Sequence, residues 1–247
     1  MRWICLLFLI ISIVSVSDCA EENASEAFLD ACQVGNVDRI RSLVETRKAL
    51  LRHSVFGQGT GLHVAVRYGN VEAARELIAL GADINSTDGV DVTPMSWAGL
   101  FGSIEAVDLL IRRGADVNAR KLDLYGREGT WGLSALEIAA REGHLEIVKL
   151  LLKNGAKIST AKGHGNALKF VGGSVRPADY WEKISSPGNR KVIEYLISQG
   201  ADINQADAYG VRPLSYAVQS GRLDVVRYLV EERDDAEINT RPTPFRE

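Results

Sequence analysis

Nucleophilic or metal chemistry in this chain would have to be built from four histidines, His53, His63, His144 and His164, and three cysteines, Cys5, Cys19 and Cys32. Their spacing supports neither. A structural zinc site draws its ligands from close Cys or His pairs, and a zinc peptidase from His-Glu-x-x-His on one helix. Neither pattern occurs, and no acidic cluster stands in for them. The Gly-x-Ser-x-Gly elbow of acyl transfer is also missing. Residues 163–173, "GHGNALKFVGG", are glycine-rich but lack the Gly-x-x-x-x-Gly-Lys-Ser/Thr spacing that cradles phosphates. No catalytic residue, metal ligand or cofactor site is therefore expected. Charged residues make up 25% of the chain and the net charge is -3, with no basic run to track a phosphate backbone, so no nucleic-acid partner is expected.

The elements that carry these residues show a register. Turn glycines fall at Gly35, Gly69, Gly102, Gly143, Gly188 and Gly221, and loop glycines at Gly81, Gly114, Gly155 and Gly200. The loop glycines are 33, 41 and 45 residues apart, so a period of 33 carries one insertion of eight residues and one of about twelve. Before the turn glycines stand helix starts: "TGLHVA" (60–65), "TPMSWA" (93–98), "LSALEIA" (133–139) and "RPLSYA" (212–217). Thr93 can cap free amides while Pro94 occupies the first helical turn, and His63 can bond back to Thr60. After the turn glycines, segments such as "LEIVKLLLKNGAK" place apolar residues on one helical face and charges on the other.

This pattern closely resembles the ankyrin repeat, a turn followed by two short antiparallel helices. The resemblance covers about Glu26 to Asn239, and its most regular copy is Gly129 to Ile158. It implies an all-α fold, an ankyrin-repeat solenoid of about six stacked helix-turn-helix units with short hairpin-like loops. The expected units are 24–49, 52–85, 89–118, 129–158, 177–204 and 209–239, within a domain at 24–239. Insertions lie at 120–131 and 159–176, and a tail at 240–247. Ser25 is the expected N-cap of the first helix. Counting back from Gly188 makes 177–185 the first helix of the fifth unit; a start near Asn166, with a long loop between the two helices, is the alternative. The first and last units are expected to be polar-faced caps.

The resemblance also implies a protein partner, of unidentified kind, held in a concave groove and by loop tips. The residue pairs before the turn glycines are the groove slots: Arg67 and Tyr68, Leu100 and Phe101, Arg141 and Glu142, Gln219 and Ser220. Tyr68 and Phe101 would form an aromatic patch on adjacent units. Asp88, Tyr125, Arg127, Trp131 and Tyr209 are loop-tip candidates, three of them in the first insertion, where an aromatic beside an arginine has the composition of a contact hot spot. An enzyme or small-ligand site in the irregular 159–187 stretch is the alternative reading.

Residues 1–17 differ from the rest. A single Arg2 precedes an apolar run at 3–14, and small residues follow, which reads as a cleaved secretory signal with its cut between 17 and 20. The run is too short for a membrane span. The expected product is secreted, periplasmic or luminal, monomeric and without an integral span; lipid anchoring through Cys19 is the lesser alternative. Cys32 reads as a small apolar core residue. Asn23 and Asn85 fit the glycosylation sequon, and Asn85 also suits turn bonding in its loop.

Overall fold

The computed structural model describes residues 23–55, 57–89, 92–119, 133–159, 167–171, 190–207, 210–219 and 221–231. The chain forms two compact units, 1–89 and 90–247. Both are built from helix pairs.

In the first unit, α1 (23–34) precedes α2 (Val37–Thr46), a 3-10 turn (Lys48–Arg52), strands β1 (Ser54–Val55) and β2 (Gly59–Thr60), α3 (Gly61–Arg67) and α4 (Val71–Ala79). Residues 23 and 24 are already helical, so Ser25 lies inside α1 rather than at its N-cap. Asn36 caps α2, its side chain accepting from the amide of Arg39 at 3.0 Å. The strands form an antiparallel hairpin with Ser54 opposite Thr60. Phe28, Cys32, Ile40, Leu62, Ala65, Ala74 and Leu77 fill the core. Burial among apolar side chains pushes the Cys32 thiol up to about 12. The helix pairs are also tied by polar bonds. Asn70 Nδ2 donates to the carbonyls of Gln33 at 2.6 Å and Cys32 at 3.2 Å. Arg41 Nε donates to Glu76 at 2.9 Å, and that hydrogen bond, with the attraction of the carboxylate, raises the guanidinium's pKa. An exposed pair of this kind adds little to stability.

The second unit contains α5 (Pro94–Phe101), α6 (Ile104–Arg112), α7 (Ala135–Glu142), α8 (Leu145–Lys153), α9 (Leu168–Val171), α10 (Arg190–Ser198), α11 (Pro213–Gln219) and α12 (Leu223–Glu231). The first helices of successive pairs form one row: α7 packs on α5 and α9, and α9 packs on α11. The second helices follow in the same order, α6 on α8, α8 on α10 and α10 on α12. The fold is thus all-α, with helix-turn-helix pairs stacked side by side. Met95, Ala98, Val107, Leu110, Leu136, Ala139, Val148, Leu151, Ile193 and Leu196 are buried in it. Asn118 links neighbouring loops, donating to the carbonyl of Gly155 and accepting from the amide of Lys157, both at 2.9 Å.

Several expectations meet a different arrangement. The place between α7 and α11 is taken by α9, close to the alternative start near Asn166; residues 177–185 lie outside the described residues. Ile104 and Leu223, apolar residues that open α6 and α12, are exposed. Each is the first residue of its helix, just past the turn, and burial starts deeper, at Ala106 and Val225.

Candidate protein-binding surface

The first-helix ends are set by local chemistry. At the start of α3, the Thr60 amide donates to Nδ1 of His63 at 3.2 Å and the Thr60 hydroxyl contacts the same nitrogen at 2.9 Å, with both residues buried. This reciprocal cap fixes where α3 begins, and hence where its last residues emerge. Arg67 and Tyr68 emerge exposed, the Tyr68 ring by 49%, with the Arg67 guanidinium 5.6 Å from its centroid. An exposed cation over a ring is worth about 0.5–1 kcal/mol. Together they make a pre-stacked, half-exposed platform.

In the second unit, Thr93 caps α5 by accepting from the Ser96 amide at 3.3 Å, with Pro94 in the first turn. The helix ends at Gly102, whose φ of 74° is left-handed. A Cβ there would meet the His144 ring at 2.8 Å, so both dihedral and space call for glycine. Leu100 is half-buried and Phe101 is 45% exposed. Phe101 leans on the buried Trp97, with ring centroids 5.8 Å apart and planes tilted by 58°. Such tilted pairs are favourable beyond their buried area, so Trp97 holds the exposed ring in place. His144 braces the same corner, its Nε2 lying 3.4 Å from the Leu100 carbonyl.

The next pair splits. Glu142 is only 6% exposed, and its carboxylate accepts from Arg141 Nε at 2.8 Å, while Arg141 is half-buried. The guanidinium of this pair is the more exposed of the two, the carboxylate the more enclosed. Gln219 is exposed. Asp88, expected at a loop tip, is buried. Tyr125, Arg127, Trp131, Tyr209 and Ser220 lie outside the described residues, as does His164. What sequence reasoning missed was the support beneath Phe101: the Trp97–Phe101 spacing of four on one helix was its available signal.

Among the described residues, no group of three or more His, Cys, Asp or Glu is placed to hold a metal ion, and no helix is long and apolar enough to cross a membrane. Two depressions of about 590 and 660 Å³ run along α8 and α10; the first is lined by Ile158, Gln199 and Asp202, the second by Ile104, Lys149 and Tyr195. The described slots combine half-exposed rings at Tyr68 and Phe101, a guanidinium beside Tyr68, and capped starts of the helices that carry them.

A family model described as ankyrin repeats (3 copies) matches residues 4–88, 28–121, 62–162 and 184–242. Ankyrin repeat and SAM domain-containing protein 6 of Danio rerio is 28% identical over 246 residues, covering 90% of this chain and 26% of that protein. Human Protein phosphatase 1 regulatory subunit 27 is 34% identical over 90 residues, 36% of this chain and 51% of its own. The chain spans 14%, 21% and 26% of the length of three curated relatives it matches. Among solved structures, the human ASB11 ankyrin repeat domain superposes with a TM-score of 0.65 at 20% identity, over 87% of this chain and 86% of that one. At that identity the likeness is one of fold.

Proposed function

The chain belongs to the ankyrin-repeat family, and we propose that it is a non-catalytic protein-interaction module, working in an exported compartment and holding a partner protein on its first-helix ends and loop tips. Ankyrin-repeat domains generally act as protein-protein interaction scaffolds, and stacked helix pairs suit that role because they offer a rigid surface with little ordering cost on binding. The observation that carries the finer reading is the exposure of Tyr68 and Phe101. These residues occupy equivalent positions, each one before its turn glycine, and each keeps a large aromatic ring half in water against a fixed neighbour, Arg67 or Trp97. Aromatic rings and arginines are the residues in which interface energy concentrates. The proposed first-helix contacts are Arg67 and Tyr68 in the first unit and Leu100, Phe101 and Arg141 in the second, with Tyr125, Arg127, Trp131 and Tyr209 as the proposed loop-tip contacts. Export rests on the apolar run at 3–14 and its flanks.

The test is affinity capture with the full chain in its native compartment, followed by a measured Kd for the partner so identified. Replacing Tyr68 and Phe101 together by Ala is expected to weaken binding at least about 30-fold, the loss of one hot spot of roughly 2 kcal/mol, with thermal stability nearly unchanged. Equal affinity in the double variant sinks the groove reading. A reporter fused behind residues 1–23 tests export independently, and retention of the reporter inside the cell removes that part of the proposal.

A further inference from the structure

Asn118 ends the loop after α6 and closes the step to the next loop. Its carboxamide makes a matched pair of bonds there, donating to the Gly155 carbonyl and accepting from the Lys157 amide, both at 2.9 Å. Residues 155–159 repeat the place of 114–118 in the loop after α8, and residues 200–204 repeat it after α10. The place of Asn118 is therefore taken by Ser159, and the atom equivalent to its acceptor is the Gly200 carbonyl. A serine side chain ends at Oγ and carries no carboxamide, so it cannot make the same pair of bonds. The Ser159 Oγ instead accepts from Gln205 Nε2 at 2.8 Å. The step that Asn118 closes after α6 is here a depression of about 590 Å³, lined by Leu152, Ile158, Ser159, Gln199, Gly200 and Asp202. The aspartate is no sign of a cation site. Asp83, Asp116 and Asp202 each accept, through Oδ1, from the amide two residues on, at 2.9, 2.9 and 2.8 Å, so Asp202 braces its turn as the other two do. The feature particular to this step is Ser159. Having accepted from Gln205, its hydroxyl keeps a proton to donate. The Gly200 carbonyl is an acceptor in the same depression, and Leu152 and Ile158, both half-buried, offer apolar contact to methylene groups. A few polar groups set among apolar ones are what orient a small group in a cleft.

We propose that this cleft is a carboxamide subsite, taking the side chain of an asparagine or glutamine from a partner peptide in the place that Asn118 fills from within the chain one step earlier. The carboxamide nitrogen donates to the Gly200 carbonyl, and its oxygen accepts from the Ser159 hydroxyl. The occupant follows from the template, because the equivalent backbone acceptor one loop earlier, at Gly155, is met by a primary amide. A carboxylate side chain of the same length lacks the N–H groups that a carbonyl acceptor requires. That a protein partner supplies the carboxamide rests on the interaction-module reading; the chemistry of the cleft itself does not.

The test titrates the full, isotope-labelled chain with N-acetyl-glutamine methylamide and follows its backbone amides by nuclear magnetic resonance. Saturable shifts are expected at Ser159, Gly200 and Asp202. The matching glutamate compound is expected to bind at least about 10-fold more weakly. Ser159→Asn supplies the carboxamide from within and is expected to abolish the response, with equal or greater stability in urea. Ser159→Ala leaves the cleft open, removes only the hydroxyl, and is expected to respond more weakly than the parent chain. The absence of saturable shifts overturns the proposal, whether the cleft is unable to bind or is already filled by another part of the chain. Equal response to the glutamate compound overturns it too, as does a response that survives Ser159→Asn. If Ser159→Asn fails to fold, Ser159→Ala decides, and an unchanged response there overturns the hydroxyl's part and the subsite with it. Once a partner has been captured, Ser159→Asn is expected to weaken its binding at least about 10-fold. Loss there with the Tyr68 and Phe101 pair indifferent removes the groove reading and keeps the subsite; the reverse pattern removes the subsite and keeps the groove reading.

Discussion

Replacing Glu137 by Ala in the full chain is expected to lower the unfolding free energy by about 2–3 kcal/mol. Glu137 is the third residue of α7, and both it and the N-cap Ser134 are buried. Its Oε2 accepts from the Ser134 amide at 2.8 Å and from the Ser134 hydroxyl at 3.1 Å, while its own amide donates to that hydroxyl at 3.3 Å. Truncation removes the carboxylate and leaves a buried amide without its acceptor. A hydrogen bond to a charged group contributes roughly 1.5–3 kcal/mol, and an orphaned buried donor costs about 1–3. These overlap rather than add, which gives the figure above and a Tm drop of roughly 4–12 °C for a chain of this size. Urea unfolding followed by circular dichroism measures it, with the slope m checking that the unfolded state is unchanged. Glu137→Gln keeps one acceptor oxygen and is expected to recover about half of the loss. Glu137→His transplants the arrangement that His63 already makes with Thr60 in α3 and is expected to do at least as well. If Glu137→Ala lies within about 0.5 kcal/mol of the parent at equal m, the cap is not what holds the start of α7.

Three further outcomes follow from the packing. Gly99→Val is expected to destabilise by about 1–3 kcal/mol, because its side chain must push against the backbone carbonyl of Ala135; a gain in stability in the same urea titration would mean that α5 and α7 can separate at little cost. Asn118→Ala removes the two bonds to Gly155 and Lys157 and is expected to cost about 1–2 kcal/mol, with faster hydrogen exchange at the Lys157 amide as the local signature. Cys32 is expected to resist Ellman's reagent at pH 8 until the chain unfolds. Its thiol ionises near 12 in the folded protein and near ~8.5 once unfolded. The stability associated with the neutral buried thiol is therefore complete below the unfolded value and is lost as pH rises through that window. Rapid labelling of the native protein at pH 8 would contradict its burial.

The sequence by itself determined the features that depend on backbone dihedrals and on short-range periodicity. The glycine register marks the helix breaks: Gly69, Gly102, Gly143 and Gly221 after first helices, and Gly81, Gly114, Gly155 and Gly200 after second ones, all adopt positive φ. Thr93 and Pro94 start α5, and His63 bonds back to Thr60, because capping involves residues only three positions apart. Alternating apolar and charged faces marked the second helices because their period repeats within nine residues.

Only the tertiary structure decided the rest. That α9 fills the row between α7 and α11 was not legible, since a four-residue helix is too short to display a helical period and the glycine-rich stretch around it loses phase. The bonds of Asn70 and Asn118 reach residues 37 to 39 positions away, so no local signal distinguishes them from turn asparagines. The same limit applies to the candidate site. Arg141 and Glu142 occupy a groove slot of the same kind as Arg67 and Tyr68, yet Glu142 is enclosed while Tyr68 is half in water. Val218 occupies the position of Ala140, yet one is exposed and the other buried. Burial is set by what the next helix pair covers, and that neighbour is brought close by the stack rather than by the chain around the residue.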